Sequence, residues 1–552
     1  MVNRGSNAQT RNKSVASLTY TPKGTSGFRC VLVSTIGTEL EIIQTEPDEP
    51  DQLAGDLGLR NNLAIVRSLT AFANHEFLAR RLRNEETRAS HQKQAADFEE
   101  ICLSLCEMVE DAAPDGPVGW CSACFARSEH RPVEGMARPT PAYLCAECGA
   151  VTTRCVSPLC DNFANRPIRR IAAPSFCAEH RHEVPGFDKL DQRLDSLDCY
   201  REWLSFDKRN LHRLTKVTMG AAGAAIAIAP AAFLAAPAIG GAIGSMTGLS
   251  GAAATSHGLA LLGGGSIAGG GLGMAGGTAV VTAVGGALGG RLGGAVTAAY
   301  VGADDSFGIE RLTEGTGTPV VFITGFLTEK HTENEGWRKL IRERYPTAPI
   351  YRVRWGAKEL GALVSLVGVG VAQQKLKGKL LKQALRASKK VGSQFGPLSA
   401  AFTAAGFASN PWSVAHARAG MTGAVLADLM KRTGETFILA GHSLGARVAV
   451  TAAQALGSDA SDEPRIEAMH LLGAAIEIGG DWDSLDHAVA GTVWNYWSSN
   501  DNVLGRGYRT LRFGAVAVGH SGFISGFTRI KDQDVSKQVA GHSDYVTNIK
   551  LR

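Results

Sequence analysis

Three observations in this 552-residue sequence predict an α/β chain with a separate metal-binding module. From about Ile309 to the end, short β-branched runs alternate with helix-forming stretches. Residues 436–457, TFILAGHSLGARVAVTAAQALG, read as a buried strand, a tight turn and an Ala-rich helix. Eight of the eleven cysteines fall between Cys121 and Cys199, several as close pairs. Alternating strands and helices favour a parallel sheet covered on both faces. The amino terminus, MVNRGSNAQTRNKSVASLTY, has no apolar h-region, which argues against secretion. Clustered cysteines in such a chain favour metal over disulfides, and a reducing, cytoplasmic compartment.

Composition bounds the rest. Charged residues make up 20% and apolar ones 44%, a globular balance. The net charge of +5 is small for this length and demands no nucleic-acid partner. Four regions are visible. Residues 1–115 are mostly helical after a strand pair at Phe28–Ser34 and Glu39–Gln44. Residues 116–187 carry the clustered cysteines. Residues 188–305 open with an amphipathic helix near Leu190–Lys216 and become Gly/Ala-rich. Residues 306–552 form the α/β domain.

The Gly/Ala-rich stretch has no Asp, Glu, Lys or Arg from Val217 to Gly290. That exceeds the roughly 20 apolar residues a bilayer crossing needs. Small residues at Gly286, Gly290 and Gly294 allow close helix packing. Lys208, Arg209, Arg213 and Lys216 form a basic flank suited to a membrane surface. Glycine costs a helix in water about 1 kcal/mol relative to alanine, so a lid or a soluble, buried Gly/Ala hairpin also fits. Membrane association, by a transmembrane helix or by surface docking, is the expectation.

Gly441-His442-Ser443-Leu444-Gly445 follows the apolar run Thr436–Ala440 and precedes the helix formers Ala446–Leu456. Strand, sharp turn and helix are the context of a Gly-x-Ser-x-Gly nucleophile elbow. The turn lifts the Ser443 oxygen clear of the backbone, and flanking glycines let strand and helix approach. The amide of Leu444, at the start of the helix, can donate to a developing oxyanion. A second donor is expected after the strand Pro319–Thr324, from the amide of Phe326 or Leu327.

A carboxylate should follow at the end of a later strand. Gly491–Ser499 is such a strand and Asp501 comes just after it; Glu477, Asp481 and Asp483 are its rivals. The base should be a late histidine. His542, before the last helix, leads; His520, after a strand expected at Gly514–Val518, is the other candidate. His442 is expected to project away from the Ser443 oxygen. These assignments describe a Ser–His–Asp serine hydrolase of the α/β-hydrolase type.

Four segments also carry a family likeness. ITGFLTEKHTENEGW (323–337), GHSLGARV (441–448), NYWSSNDNVLGRGYR (495–509) and GHSDY (541–545) resemble the transmembrane and coiled-coil domain-containing protein 4 family of α/β hydrolases. The likeness runs from about residue 190 to 550 and leaves the cysteine-rich region outside. It implies an α/β-hydrolase fold, membrane association and a lipase-like or esterase-like role. Ser443, Asp501 and His542 fall on that family's triad positions.

Cys121-x2-Cys124 and Cys145-x2-Cys148 stand twenty residues apart, the spacing of a zinc ribbon. Cys155, Cys160, Cys177 and His180 supply a second four-ligand set, with His180 preferred to His182 for its knuckle spacing. Two structural zinc ions are expected, since the region has too few large apolar residues to fold without them. Cys30, Cys102, Cys106 and Cys199 read as core thiols. The resulting expectation is a membrane-associated esterase, lipase-like or phospholipase-like, acting on a lipid or other acyl ester. A scaffold protein with an idle hydrolase fold is the alternative. A third reading makes the zinc module a nucleic-acid or protein binder through Arg166, Arg169 and Arg170.

Overall fold

The computed structural model describes residues 15–24, 27–45, 52–81, 85–135, 140–166, 168, 174–205, 288–303, 306–325, 331–355, 411–457, 465–479, 482–509, 515–523 and 526–552. The apolar stretch predicted over 217–290 lies outside these residues up to 287, as do Phe326, Leu327, Asp481, Arg169 and Arg170. Among the described residues no helix is long and apolar enough to cross a membrane. The fold is mixed α/β and divides into two compact units, one mainly of residues 1–175 and one mainly of residues 176–552.

The first unit opens with an antiparallel meander: β1 (Ser17–Lys23), β2 (Gly27–Val33), β3 (Glu39–Gln44) and β4 (Gln52–Gly55). Phe28, Cys30 and Leu32 on β2, with Leu40 and Ile42 on β3, are fully buried while their neighbours, Gly27 apart, are not. This is the period-two pattern of a sheet with one dry face. Three helices follow, α1 (Leu57–Asn61), α2 (Leu63–Arg81) and α3 (Glu85–Glu110). Asp56 and Asn62 cap the first two, accepting the amides of Leu59 and Ile65 at 3.0 Å each. Cys30, Cys102 and Cys106 are buried, and burial pushes the thiols of Cys30 and Cys106 up to about 12, so they stay protonated. A second sheet then forms from five short antiparallel strands: β5 (Val118–Trp120), β6 (Arg127–Pro132), β7 (Tyr143–Cys145), β8 (Val151–Arg154) and β9 (Phe163–Asn165).

In the second unit, residues 190–196 are not helical, contrary to the long amphipathic helix expected from Leu190. Helix is confined to a 3-10 turn at Leu197–Cys199 and α4 (Tyr200–Trp203). Tertiary bonds draw this backbone away from helical pairing. The Leu194 amide donates to the Arg432 carbonyl at 3.1 Å, and the Trp203 indole donates to the Lys189 carbonyl at 2.6 Å. The remainder of that expected helix, 206–216, lies outside the described residues.

Seven strands build the main sheet: β10 (Gly308–Thr313), β11 (Val320–Ile323), β12 (Ile350–Arg354), β13 (Phe437–His442), β14 (Ile466–Leu472), β15 (Val493–Trp497) and β16 (Ile530–Asp534). Their spatial order is β10-β12-β11-β13-β14-β15-β16, parallel except for β10. The described helices are α5 (Arg291–Ala303), α6 (His331–Arg344), α7 (Pro411–Thr433), α8 (Leu444–Gly457), α9 (Trp482–Ala488), α10 (Val518–Ser521) and α11 (Tyr545–Asn548). Val321 and Ile323 pack into one apolar cluster with α7, α8 and α9, while Val320 and Phe322 pack into another with α6 and α11. Alternate residues of β11 therefore face two helical layers, so this strand is apolar throughout. The strand order reverses between β11 and β13, which puts the carboxyl ends of those strands at a topological switch point.

One buried ion pair organises the edge of this unit. On α7, Arg432 binds Asp428 at 2.9 and 3.1 Å, with both side chains almost fully buried. The same guanidinium donates to the carbonyls of Gln192 and Gly290 and lies 4.4 Å over the Trp203 ring. Asp428 also accepts from the Gly289 amide and the Thr297 hydroxyl, both at 2.8 Å. Every guanidinium nitrogen and both carboxylate oxygens are hydrogen-bonded, the condition for a buried pair that does not destabilise.

Candidate active site

Ser443 sits between β13 and α8 with φ +56°. A non-glycine residue in this region is strained, by about 1–3 kcal/mol, and the surroundings must impose it. The packing does so: a Cβ at Gly325 would lie 2.5 Å from the Ser443 Cβ and would strike the His442 carbonyl. A Cβ at Gly445 would collide with the Ile323 carbonyl. The end of β11 thus passes directly against the serine turn. Gly325→Ala is expected to destabilise the protein by about 1–3 kcal/mol, because main chain rather than a flexible side chain is in the way. Urea unfolding of the variant reads this as a lower midpoint at unchanged slope.

The Ser443 hydroxyl lies 2.8 Å from His542 Nε2, and His542 Nδ1 lies 2.7 Å from Asp501 Oδ2. Serine, imidazole and carboxylate therefore form one hydrogen-bonded line of buried groups. His542 stands three residues before α11, and Asp501 follows β15 where a short π-helical stretch, Val503–Tyr508, begins. Asp501 Oδ1 accepts the Leu504 amide at 3.1 Å, and the Tyr545 hydroxyl stands 3.3 Å from Oδ2. Burial pushes the Asp501 pKa up, but the hydrogen bonds from His542 and the Leu504 amide outweigh it, and the net shift is downward. The carboxylate stays ionised beside the imidazole. Burial pushes the Tyr545 phenol far up, so it remains a donor.

The described rivals lie elsewhere. His520 is on α10 against Gly505, and over the described residues 515–518 of the expected strand there is only an isolated bridge between Ala517 and Glu477. Tight packing of Gly519 on Ala474 bends the chain into a helical turn there instead. Asp483 is in the first turn of α9. The Leu444 amide opens α8, where an amide has no helical acceptor. Phe326 and Leu327, named for the second oxyanion donor, are outside the described residues. Tyr545 was not anticipated as a partner of Asp501, although its position three residues after His542 in the same segment was a usable clue.

Two further groups can hold metal. Cys121, Cys124, Cys145 and Cys148 bring their sulfurs within 4.8 Å of one another, and so do the donor atoms of Cys155, Cys160, Cys177 and His180. Sulfurs about 2.3 Å from a tetrahedral centre stand about 3.8 Å apart. Cys121 and Cys148 Sγ are 4.0 Å apart, close to this separation, and Cys177 Sγ is 3.2 Å from His180 Nδ1. Main-chain amides of Ala123 and Ser157 point at Cys121 and Cys155 Sγ at 3.3 and 3.4 Å, bonds that favour thiolates. Gly149, just after the second pair, has φ +70°. Arg166 is buried, with its Nε donating to the Thr140 carbonyl, so it does not contribute to a solvated basic face.

Residues 209–551 match the family model described as "Protein of unknown function (DUF726)". This chain belongs to the DUF726 family. The match covers Ser443, Asp501 and His542 and leaves both metal-ligand groups outside. A rice (Oryza sativa subsp. japonica) relative, transmembrane and coiled-coil domain-containing protein STS1, is 27% identical over 220 residues. That alignment covers 39% of this DUF726 chain and 32% of the rice protein, so the chain spans about a third of its relative. No solved structure matches.

Proposed function

We propose that this DUF726 chain is a serine-dependent carboxylic-ester hydrolase with an α/β-hydrolase fold, acting through an acyl-enzyme on Ser443. The observation that carries the reading is the unbroken path from the Ser443 hydroxyl through His542 to Asp501, at 2.8 and 2.7 Å, on a serine held at positive φ. The strand order, with its reversal between β11 and β13, supports the fold assignment.

His542 Nε2 takes the Ser443 proton as the oxygen attacks the ester carbonyl carbon. The carbonyl oxygen gains the negative charge and meets the Leu444 amide, with a second donor from Phe326 or Leu327. Collapse of the tetrahedral intermediate breaks the ester C–O bond, and the imidazolium returns its proton to the leaving alcohol. Water, deprotonated by His542, then releases the acid and restores Ser443. Asp501 keeps Nδ1 protonated and stabilises the imidazolium.

A lipid or other acyl ester is the substrate class, and the protein works at a membrane on the cytoplasmic side. This part rests on the uncharged run at 217–290 and on the name of the rice relative, which describes a transmembrane protein. Zinc is the metal inferred for both cysteine groups, since soft thiolates with one imidazole suit it. Its role is structural, because four protein donors leave no open position.

Purified protein should hydrolyse a short p-nitrophenyl ester and take up a fluorophosphonate label. Ser443→Ala should abolish both, a fall of about 10⁶-fold in kcat by analogy with nucleophile removal in a serine protease. A folded wild-type chain that neither turns over nor labels would instead be a scaffold built on a hydrolase frame.

A further inference from the structure

His442 stands immediately before the nucleophile, and the hydrolytic reading gives it no task. Its ring is buried, with centroids 4.8 Å from the His542 ring and 5.7 Å from the Tyr545 ring. Its Nε2 lies 2.8 Å from the main-chain carbonyl oxygen of His542 itself. A carbonyl can only accept, so Nε2 carries the proton and donates. Burial, and then the neighbouring His542, push the His442 pKa down to about 3, so the ring is neutral. Its Nδ1 has no hydrogen-bond partner among the described residues. The bond to the His542 carbonyl is the side-chain hydrogen bond that His442 makes among the described residues.

That bond joins a sheet strand to a turn. His442 closes β13, a central strand paired on both sides. His542 lies in a turn at residues 541–543, with α11 starting only at Tyr545. We propose that His442 is a positioning residue that fixes the main chain of His542 to the sheet, so that one imidazole reaches Ser443 and Asp501 at once. Asp501 is held in turn by the Leu504 amide and lies within reach of the Tyr545 hydroxyl, so base and acid each have a second anchor. The consequence for rate rests on the hydrolase reading above; the anchoring itself does not.

The test uses the full chain with His442→Phe, which keeps a ring without a donor, and His442→Gln, whose amide can place an N–H near the Nε2 position. The Phe variant should lose about 10- to 100-fold in kcat, the scale of a misplaced catalytic group, with KM nearly unchanged. The Gln variant should recover most of that loss. In proton NMR, the low-field resonance of the His542–Asp501 hydrogen bond should broaden or shift in the Phe variant and be restored in the Gln variant. A Phe variant with wild-type kcat and wild-type resonance overturns the proposal. So does an equal loss in both variants, which would mark a packing role. If the Phe variant does not fold, His442→Asn, too short to reach the carbonyl, replaces it. If the wild-type chain shows no turnover, the hydrolase reading fails while the resonance still reports whether His442 holds His542.

Discussion

Asp501→Asn should lower kcat for ester hydrolysis by about 10⁴-fold while leaving the fold intact, the loss seen when the acid of such a triad is replaced by its amide. The surroundings dictate how the amide will lie. The Leu504 amide is fixed main chain and donates to Oδ1 at 3.1 Å, so the single carbonyl oxygen of Asn must face it. The NH2 group then faces His542 Nδ1, where Oδ2 now stands at 2.7 Å. Two donors cannot share that contact, so the imidazole adopts the other tautomer, with its proton on Nε2. It can then no longer accept from Ser443. KM for a small ester should barely change, because no substrate contact is lost. Steady-state kinetics with a melting curve for each protein checks the result, and a variant within tenfold of wild type would remove Asp501 from its assigned role.

Removing metal should unfold the five-stranded sheet β5–β9. Those strands are three to six residues long, and the residues between them supply most of the eight donor side chains. Structural zinc contributes on the order of 10–16 kcal/mol of apparent free energy in small modules. Whole domains are stable by only about 5–15 kcal/mol, so zinc held by these two groups would decide whether such a sheet exists. Native mass spectrometry should find two zinc ions per chain. Hydrogen exchange after chelation, or in a Cys145→Ser, Cys148→Ser double variant, should show protection lost across 118–165. Protection retained in metal-free protein would mean that the apolar contacts around Phe163, stacked on His130 at 3.7 Å, suffice.

The parts of this architecture that follow local rules were readable in the chain. A strand, a Gly-bounded serine turn and a helix are consecutive, so their geometry is contained in about twenty residues. Pairs of cysteines two residues apart announce their knuckles in the same way. What was not readable depends on contacts between distant segments. The meander has four strands rather than the expected pair, because the weakly apolar Ser17–Lys23 and Gln52–Gly55 join only as edges. Residues 190–196 have helical composition but lose it to the Arg432 carbonyl, more than two hundred residues away. The contact of His442 with His542 spans a hundred residues and leaves no local periodicity.

The guanidinium of Arg432 has a consequence for how this chain tolerates change. It donates to the main chain at Gln192 and at Gly290, nearly a hundred residues apart in sequence, and so ties two segments of the second unit to one spot on α7. The separation of those two carbonyls is set by one guanidinium and not by the number of residues between them. A change in chain length between Gln192 and Gly290 therefore need not move either carbonyl. Loss of Arg432 would release both at once, together with the Asp428 carboxylate and the Trp203 ring.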